Sequence, residues 1–410
     1  MRVLWFSNTP AAGDEYKSDE FISSNGTGGW LKSLDKAIQD KVELHVTFCN
    51  RHYPSEFTVG KTTYHQIAPQ DMKSLIKRRI QLKMGKNPDL HRYLDVINKV
   101  KPDIIHIHGT ERRWIELAQY TDIPVLLSIQ AILTVMNHKY FSGVDKNDLP
   151  CGSGYLSAYK DFLKAGTIER QNLPYINYVM GRTEWDRRVY SVLAPHAQYF
   201  QGGEILRDPF YTTQWKKHQR SDKKIIVHTT TGSLLFKGLE TICLAVTALL
   251  KAGIDIEWRV AGVSPNSEFE KVVRKKLDSE YPEKGLVLLG SLYEKELLEK
   301  MLEADVYVSP THQDNSPNAL CEAMLIGMPC VSTFAGGSGS ILKDGETGIM
   351  VQDGDPWALA GAVKELAFNE TLAHKYATNA REDAIARHDK NKVVAQMLEA
   401  YNTIINVIKD

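Results

Sequence analysis

Between Ser309 and Gly348 the chain reads SPTHQDNSPNALCEAMLIGMPCVSTFAGGSGSILKDGETG, with Asp314 and Glu322 flanking a Ser-Pro step. Ser316 and Pro317 are suited to cap and open a helix over Asn318 to Gly327, which must stop before Pro329. The free N–H groups near Asn318 and Ala319 would then face the C-terminal end of the preceding apolar run, Asp305 to Ser309. Such a helix end takes an anion, and a diphosphate is a natural guest. Glu322 is the single charge among Ala319, Leu320, Cys321, Ala323, Met324 and Leu325. A carboxylate there is costly unless something hydrogen-bonds to it, and ribose hydroxyls would serve. After a strand over Met328 to Thr333, Gly336-Gly337-Ser338-Gly339 would let the backbone approach a ligand closely. Singly, these are an exposed helix Glu, a loop Asp and an ordinary turn. In this order they describe a site for a sugar joined to a nucleotide diphosphate.

Other segments add weaker chemistry. Lys237-Gly238 follows a strand and the loop Thr230, Thr231, Gly232, and opens a helix. A lysine there can neutralise charge building on a departing diphosphate, although a solvated lysine at a helix start accounts for it equally well. His106-Ile107-His108-Gly109 ends another strand, and alternation points both imidazoles to one face. A metal pair is conceivable there, but no third ligand is evident, so His108 reads as a cleft-lining residue. Gln130, after Pro124 to Ile129, can hydrogen-bond a sugar hydroxyl. Asn25-Gly26-Thr27-Gly28-Gly29-Trp30 is a flexible glycine loop before a helix. Lys73 to Lys86 carries six positive and no negative charges around Leu75, Ile76, Ile80 and Leu82. It reads as a solvated helix face, or as a peripheral membrane contact.

These residues must be positioned by alternating strands and helices. In the first half, strands are expected over Arg2–Ser7, Val42–Phe48, Asp103–His108, Pro124–Gln130 and Tyr175–Gly181. Helices are expected over Trp30–Gln39, Leu90–Val100, Leu156–Lys164 and Glu184–Leu193. Gln201 to Asp222 is polar and aperiodic and reads as an interdomain linker. Alternation restarts with Ile225–Thr229, Gly238–Lys251, Glu257–Ala261, Ser267–Ser279, Leu286–Leu289 and Lys295–Glu303, and Asn391–Ile408 reads as a closing amphipathic helix. The fold class is therefore α/β, with two doubly wound parallel sheets facing across a cleft and ligands at the C-terminal strand ends.

The Ser309–Gly348 segment resembles the donor-site signature of family 4 retaining glycosyltransferases of the GT-B class. The shared marks are the acidic pair Asp314 and Glu322, Glu322-Ala323-Met324, Gly327-Met328-Pro329, Gly336-Gly337 and Asp344-Gly345-Glu346-Thr347-Gly348. The resemblance implies a Rossmann-like acceptor domain at residues 1–203, a donor domain at 204–388, and a helix at 389–410 crossing back onto the first domain. It implies a UDP- or GDP-sugar substrate, no cofactor or metal, and a saccharide or lipid-linked acceptor in cell-envelope polysaccharide or glycolipid synthesis. Asp314, Lys237, His108 and Gln130 would take part in catalysis. Glu322, Asn318, Ala319, Ser316, Gly28, Gly29, Gly232, Gly336 and Gly337 would surround the donor. The chain departs from the family in four places: Asp314 and Ser340 stand where Glu is usual, Gly232 replaces an Arg and Gln130 a His. A sugar-nucleotide epimerase or phosphorylase-like enzyme on the same architecture, or a silent nucleotide-sugar-binding protein, are the alternatives.

Composition agrees with two domains. A chain of 410 residues exceeds one comfortable core. Fifty basic and fifty acidic residues leave no global field to draw nucleic acid. Cys49, Cys151, Cys243, Cys321 and Cys330 are scattered, a reducing-compartment pattern that points to the cytoplasm. The apolar run Val3–Phe6 is too short for a signal peptide, and Pro329 with the glycines makes Ala323–Leu342 strand and turn rather than a membrane span.

Overall fold

The computed structural model describes residues 1–11, 29–68, 76, 78, 80–82, 84–217 and 224–409. Gly28, the residues of the glycine loop before it and six of the fourteen residues of the basic run Lys73–Lys86 lie outside these residues.

The first sheet comprises β1 (Arg2–Phe6), β2 (Glu43–Phe48), β3 (Glu56–Val59), β4 (Thr62–Gln66), β5 (Ile104–His108), β6 (Val125–Ser128), β7 (Tyr178–Gly181) and β8 (Gln198–Gln201). Their order is β3-β4-β2-β1-β5-β6-β7-β8, parallel except for the edge pair β3–β4. β5 is buried along its whole length, as a parallel strand covered on both faces must be. One face packs the helix Gly29–Ile38 through Leu31, Leu34 and Ile38, and the other packs Leu90–Val100 through Tyr93, Ile97 and Val100.

The second sheet comprises β9 (Ile225–Thr230), β10 (Ile256–Ala261), β11 (Leu286–Gly290), β12 (Val306–Ser309), β13 (Cys330–Thr333) and β14 (Ile349–Val351). It is wholly parallel in the order β11-β10-β9-β12-β13-β14. The strand order reverses between β1 and β5 in one sheet and between β9 and β12 in the other. At such points the two adjacent crossovers leave in opposite directions and open a crevice.

Helix Lys390–Lys409 returns to the first domain, where Val393, Met397, Tyr401 and Ile404 join its core. Trp5 Nε1 donates to the Tyr401 hydroxyl at 2.9 Å, and that hydroxyl lies 2.6 Å from His106 Nδ1. The other His106 nitrogen is 2.7 Å from Ser128 Oγ. A second bridge joins the domains. Tyr140, Val144 and Tyr155, from the first half, pack with Leu235, Phe236 and Phe269 in the second domain's core.

Two expectations need correction. The helix expected over Leu156–Lys164 runs from Gly154 to Asn172, is capped by Ser153 and buries Glu169. As far as Lys217 the aperiodic linker is built structure: it holds the short helix Asp208–Thr212 and buries Glu204, Leu206, Phe210 and Trp215. Its polar composition hides apolar anchors spaced too irregularly to show a period.

Candidate active site in the interdomain cleft

The switch point of the second sheet opens into a cavity of about 520 Å³ lined from both domains. Thr230 ends β9 and Thr231 follows it, Ser309 ends β12 and Pro310 follows it, and Glu111, Gln130 and Arg182 face them from the first domain. Lys237 and Asp314 line the same space, and the lysine Nζ donates to Asp314 Oδ2 at 2.5 Å. Each side chain keeps about a fifth of its surface exposed, at 20% and 22%, so the pair remains open to a ligand. Gly238, with φ 78°, begins the next helix against Pro310 O, where a Cβ would sit 2.1 Å away. Only glycine lets the Lys237 loop lie this close to the end of β12.

The helix Asn318–Ile326 points its first turn at the cavity, with Asn318 and Ala319 in the lining. Its start differs from expectation. Pro317 is the capping residue and makes no side-chain cap, and Ser316 is not the N-cap. The Ser316 hydroxyl instead donates to Glu204 Oε1 at 2.6 Å. With no side chain capping it, the first turn leaves the N–H groups of Asn318 and Ala319 for an anion, while that of Leu320 donates to Pro317 O at 3.0 Å.

Glu322 is 5% exposed, and both of its oxygens are taken by protein. Arg207 Nε donates to Oε1 at 2.7 Å and an Arg207 terminal amino group to Oε2 at 2.6 Å. The partner read as ribose is therefore first of all a guanidinium. Burial raises the Glu322 pKa above the ordinary carboxylate value, with Arg207 acting against it. Gly29, at the start of its helix, lies against the Arg207 stem, 3.0 Å from where a Cβ would be. The glycine gives this arginine its passage.

Gly336 and Gly337 serve a different end from the one expected. A Cβ on Gly336 would stand 1.8 Å from Asp314 O, and one on Gly337 1.9 Å from Asn315 O. These glycines bring backbone against the Asp314 loop, and the ligand space lies beyond it. Gly232 has nothing within 4 Å of a Cβ, so the position of the missing arginine is open.

Across the cleft, Thr183 Oγ1 donates to Asn315 Oδ1 at 3.0 Å, and Asn315 Nδ2 donates to Gln130 O at 3.3 Å. Gln130 Oε1 accepts from Arg182 at 3.2 Å. The Glu184 N–H donates to Ser340 Oγ at 3.1 Å, so the serine that departs from the family's glutamate joins the domains.

His108 lies at the first sheet's switch point, 3% exposed, with its ring edge-on to Trp5 and Trp30 at 4.8 and 5.6 Å. Neither of its nitrogens has a hydrogen-bond partner among the described residues. Burial, with the positive Arg182 nearby, pushes its pKa down to about 3, so the ring is neutral. It lines a cavity of about 190 Å³ with Asn8, Trp30, Glu111 and Gln130. Glu111 and Gln130 line both cavities, which therefore adjoin. His106 and His108 share a face, their rings 4.1 Å apart.

Among the described residues, Glu204, Cys321 and His388 form a group with metal-ligand atoms in reach of one another. Arg182 lies 3.7 Å from Glu204 there, and this cation with the Ser316 bond holds the Glu204 pKa down to about 2 against burial. The site already contains its positive charge. Arg207, Arg182, Thr183, Asn315 and Glu204 escaped sequence reading. The sharpest available signal was Glu322 itself, since a lone carboxylate in an apolar helix calls for a cation elsewhere.

Residues 211–383 match the family model of glycosyl transferases group 1. A phosphatidyl-myo-inositol mannosyltransferase of Mycobacterium leprae is 28% identical over 173 residues, 41% of this chain and 43% of that protein. The N-acetyl-alpha-D-glucosaminyl L-malate synthase of Bacillus anthracis is 23% identical over 195 residues, 47% and 49% of the two chains. The matched stretch thus spans less than half the length of either relative. Sucrose-phosphate synthase from Thermosynechococcus elongatus superposes with a TM-score of 0.75 at 15% identity, covering 99% of both chains. Anabaena HepE, solved with UDP and glucose, gives 0.66 at 14% identity, covering 98% and 99%. No described helix is long and apolar enough to cross a membrane. By its two-sheet architecture and the sequence of its second domain, the chain resembles the GT-B glycosyltransferases, with the group 1 match lying in residues 211–383.

Proposed function

We infer that this chain is a retaining glycosyltransferase that moves a sugar from a nucleotide diphosphate to a hydroxyl acceptor. The observation that carries the reading is the Lys237–Asp314 pair facing the uncapped helix end at Asn318, inside a cavity bounded by both domains. A diphosphate between Lys237 and that helix end would meet an ammonium and free N–H groups in one place. Asp314 would accept hydrogen bonds from donor-sugar hydroxyls. Glu322 would meet the ribose, since each oxygen keeps a lone pair beyond its Arg207 bond.

The reaction proposed is front-face transfer. The bond between the anomeric carbon and the phosphate oxygen breaks, and the acceptor oxygen bonds to the same face of that carbon. The acceptor's proton passes to the leaving phosphate. Lys237 and the helix end hold the developing charge, an electrostatic contribution usually among the largest in such sites. The acceptor, a saccharide or a lipid-linked one, would enter from the His108 side, past Gln130. No cofactor and no metal enter this scheme. Relatives named as a phosphatidyl-myo-inositol mannosyltransferase and a colanic acid biosynthesis glycosyltransferase support the class, and a role in polysaccharide or glycolipid synthesis belongs to the proposal. Peripheral contact with anionic lipid through Lys73–Lys86, at the inner face of the membrane, belongs to the same proposal, and liposome flotation tests it.

Thermal shift with UDP, GDP and their sugars, on wild type and Glu322→Ala, tests the donor site. Stabilisation of wild type by one nucleotide class, weakened in the variant, is expected. If no nucleotide stabilises the wild type, the reading falls. Nucleotide release dependent on acceptor, with the product's anomeric configuration read by NMR, then tests transfer and retention.

A further inference from the structure

His312 is 4% exposed and lies between two carboxylates from two other segments. Its Nε2 is 2.6 Å from Glu240 Oε1, at the start of helix Leu239–Lys251. Its Nδ1 is 3.3 Å from Asp353 Oδ2, in the loop after β14. Its backbone N–H donates to Phe236 O at 2.9 Å. Thr311 Oγ1 also donates to Phe236 O, at 3.2 Å. His312 therefore grips both ends of the segment that carries Lys237, and stands two residues before Asp314.

A carboxylate only accepts, so an imidazole that bonds two of them must carry a hydrogen on each nitrogen. We propose that His312 is the positioning residue of the site, a doubly protonated clamp whose charge state sets whether Lys237 and Asp314 stand together. This rests on the transferase reading above and adds its regulation by pH. Loss of the proton leaves one ring nitrogen as a lone pair facing a carboxylate, and one grip must open.

The titratable groups facing the ring are Glu240 and Asp353, with Lys237 and Asp314 on the two loops it joins. Glu240 also accepts from Thr241 Oγ1 at 2.8 Å. Its other oxygen has no partner among the described residues and faces Gly143 of the first domain, where a Cβ would lie 2.6 Å from it. Burial would lower the His312 pKa, but the bonds and charges of Glu240 and Asp353 outweigh it and raise the value above that of a free histidine. The charged form is therefore held to higher pH than in a free histidine and is lost as pH rises through the raised value.

The test uses the full chain as wild type, His312→Gln and Glu240→Gln, with kcat followed from pH 6 to 10. Wild type is expected to lose kcat on the alkaline side through one ionisation. Glu240→Gln is expected to move that fall to lower pH by about one unit, as removing a facing negative charge demands. His312→Gln is expected to lower kcat about tenfold or more at pH 7 and to abolish the fall, with donor KM changing less. A uniform loss that keeps the wild-type alkaline limb in His312→Gln, or an unmoved limb in Glu240→Gln, would overturn the clamp. A second readout needs no substrate. In 15N-histidine NMR, the resonance missing from His312→Gln should show both nitrogens protonated at pH 7 and titrate lower in Glu240→Gln. A neutral ring at pH 7 overturns the proposal. Absence of transfer by wild type with the ring doubly protonated counts against the transferase reading alone.

Discussion

At the first sheet's switch point a histidine stands among tryptophans, its nitrogens without a partner among the described residues and its ring neutral. At the second, three residues past the end of β12, a histidine sits between two carboxylates that raise its pKa. The contrast extends to their neighbours. Around β9 and β12, Lys237–Asp314, Arg207–Glu322 and His312–Glu240 are ion pairs. Around β1 and β5 the Trp5–Tyr401–His106–Ser128 network is built of uncharged groups, and His108 beside it has no hydrogen-bond partner among the described residues. Paired charge fixes a geometry before a ligand arrives, which suits a diphosphate of constant charge. Unpaired polar atoms on a rigid aromatic wall leave the choice of hydroxyl partners to the ligand.

The largest break expected is Arg207→Ala. It leaves Glu322 buried without its cation, and stability in urea should fall by about 3–5 kcal/mol. Replacing both residues by methionine should recover most of that loss, while nucleotide stabilisation stays absent. Lys237→Ala should lower kcat by about 10²–10³, roughly 3–4 kcal/mol of transition-state stabilisation, with a far smaller change in unfolding midpoint. Gly336→Ala tests whether the donor side is as tight in backbone as in charge. With φ 55° and Asp314 O in the way, it should cost about 1–3 kcal/mol in thermal or denaturant unfolding.

His108→Leu should be the mildest at neutral pH, within about 1 kcal/mol of wild type, because its nitrogens have no bonds to lose. Donor stabilisation should persist in this variant while acceptor KM rises. The same residue gives the comparison a pH sign. A histidine kept neutral by the fold binds its proton more readily when unfolded, so His108 withdraws stability as pH falls from about 6.5 towards 3. His312 runs the other way, contributing fully below about 6.5 and losing its contribution as pH rises through its raised value. Relative to wild type, the unfolding midpoint of His108→Leu should therefore rise as pH falls below about 6.5, whereas that of His312→Gln should lie below wild type in acid and converge on it as pH rises.

Legibility followed the same divide. Helices Leu90–Val100 and Glu184–Leu193 were readable to the residue because their apolar spacing and end signals coincide. Asp314, Lys237 and Asn318 were readable because a strand, a turn and a helix start follow one another locally, and they line one cavity. The role of Ser316 was not, since its partner Glu204 lies 112 positions away and is buried. Arg207 was hidden for the same reason: nothing near it in the chain marks what it pairs with. The glycines at 336 and 337 announced a close approach, but the sequence cannot distinguish a ligand from the backbone of Asp314 and Asn315. The strands β3 and β4 were missed because an edge hairpin of Thr, Tyr and His resembles polar loop.

The return of helix Lys390–Lys409 bears on how the protein is made. Tyr401 closes the Trp5–His106 network, and Val393, Met397 and Ile404 complete an apolar core otherwise built from residues before 206. On the ribosome, β1 emerges long before them, with the entire second domain synthesised in between. The first domain must therefore wait with an uncovered face while its younger neighbour can already close. The later domain is free to fold first, and the earlier one becomes native only when the chain comes back to it.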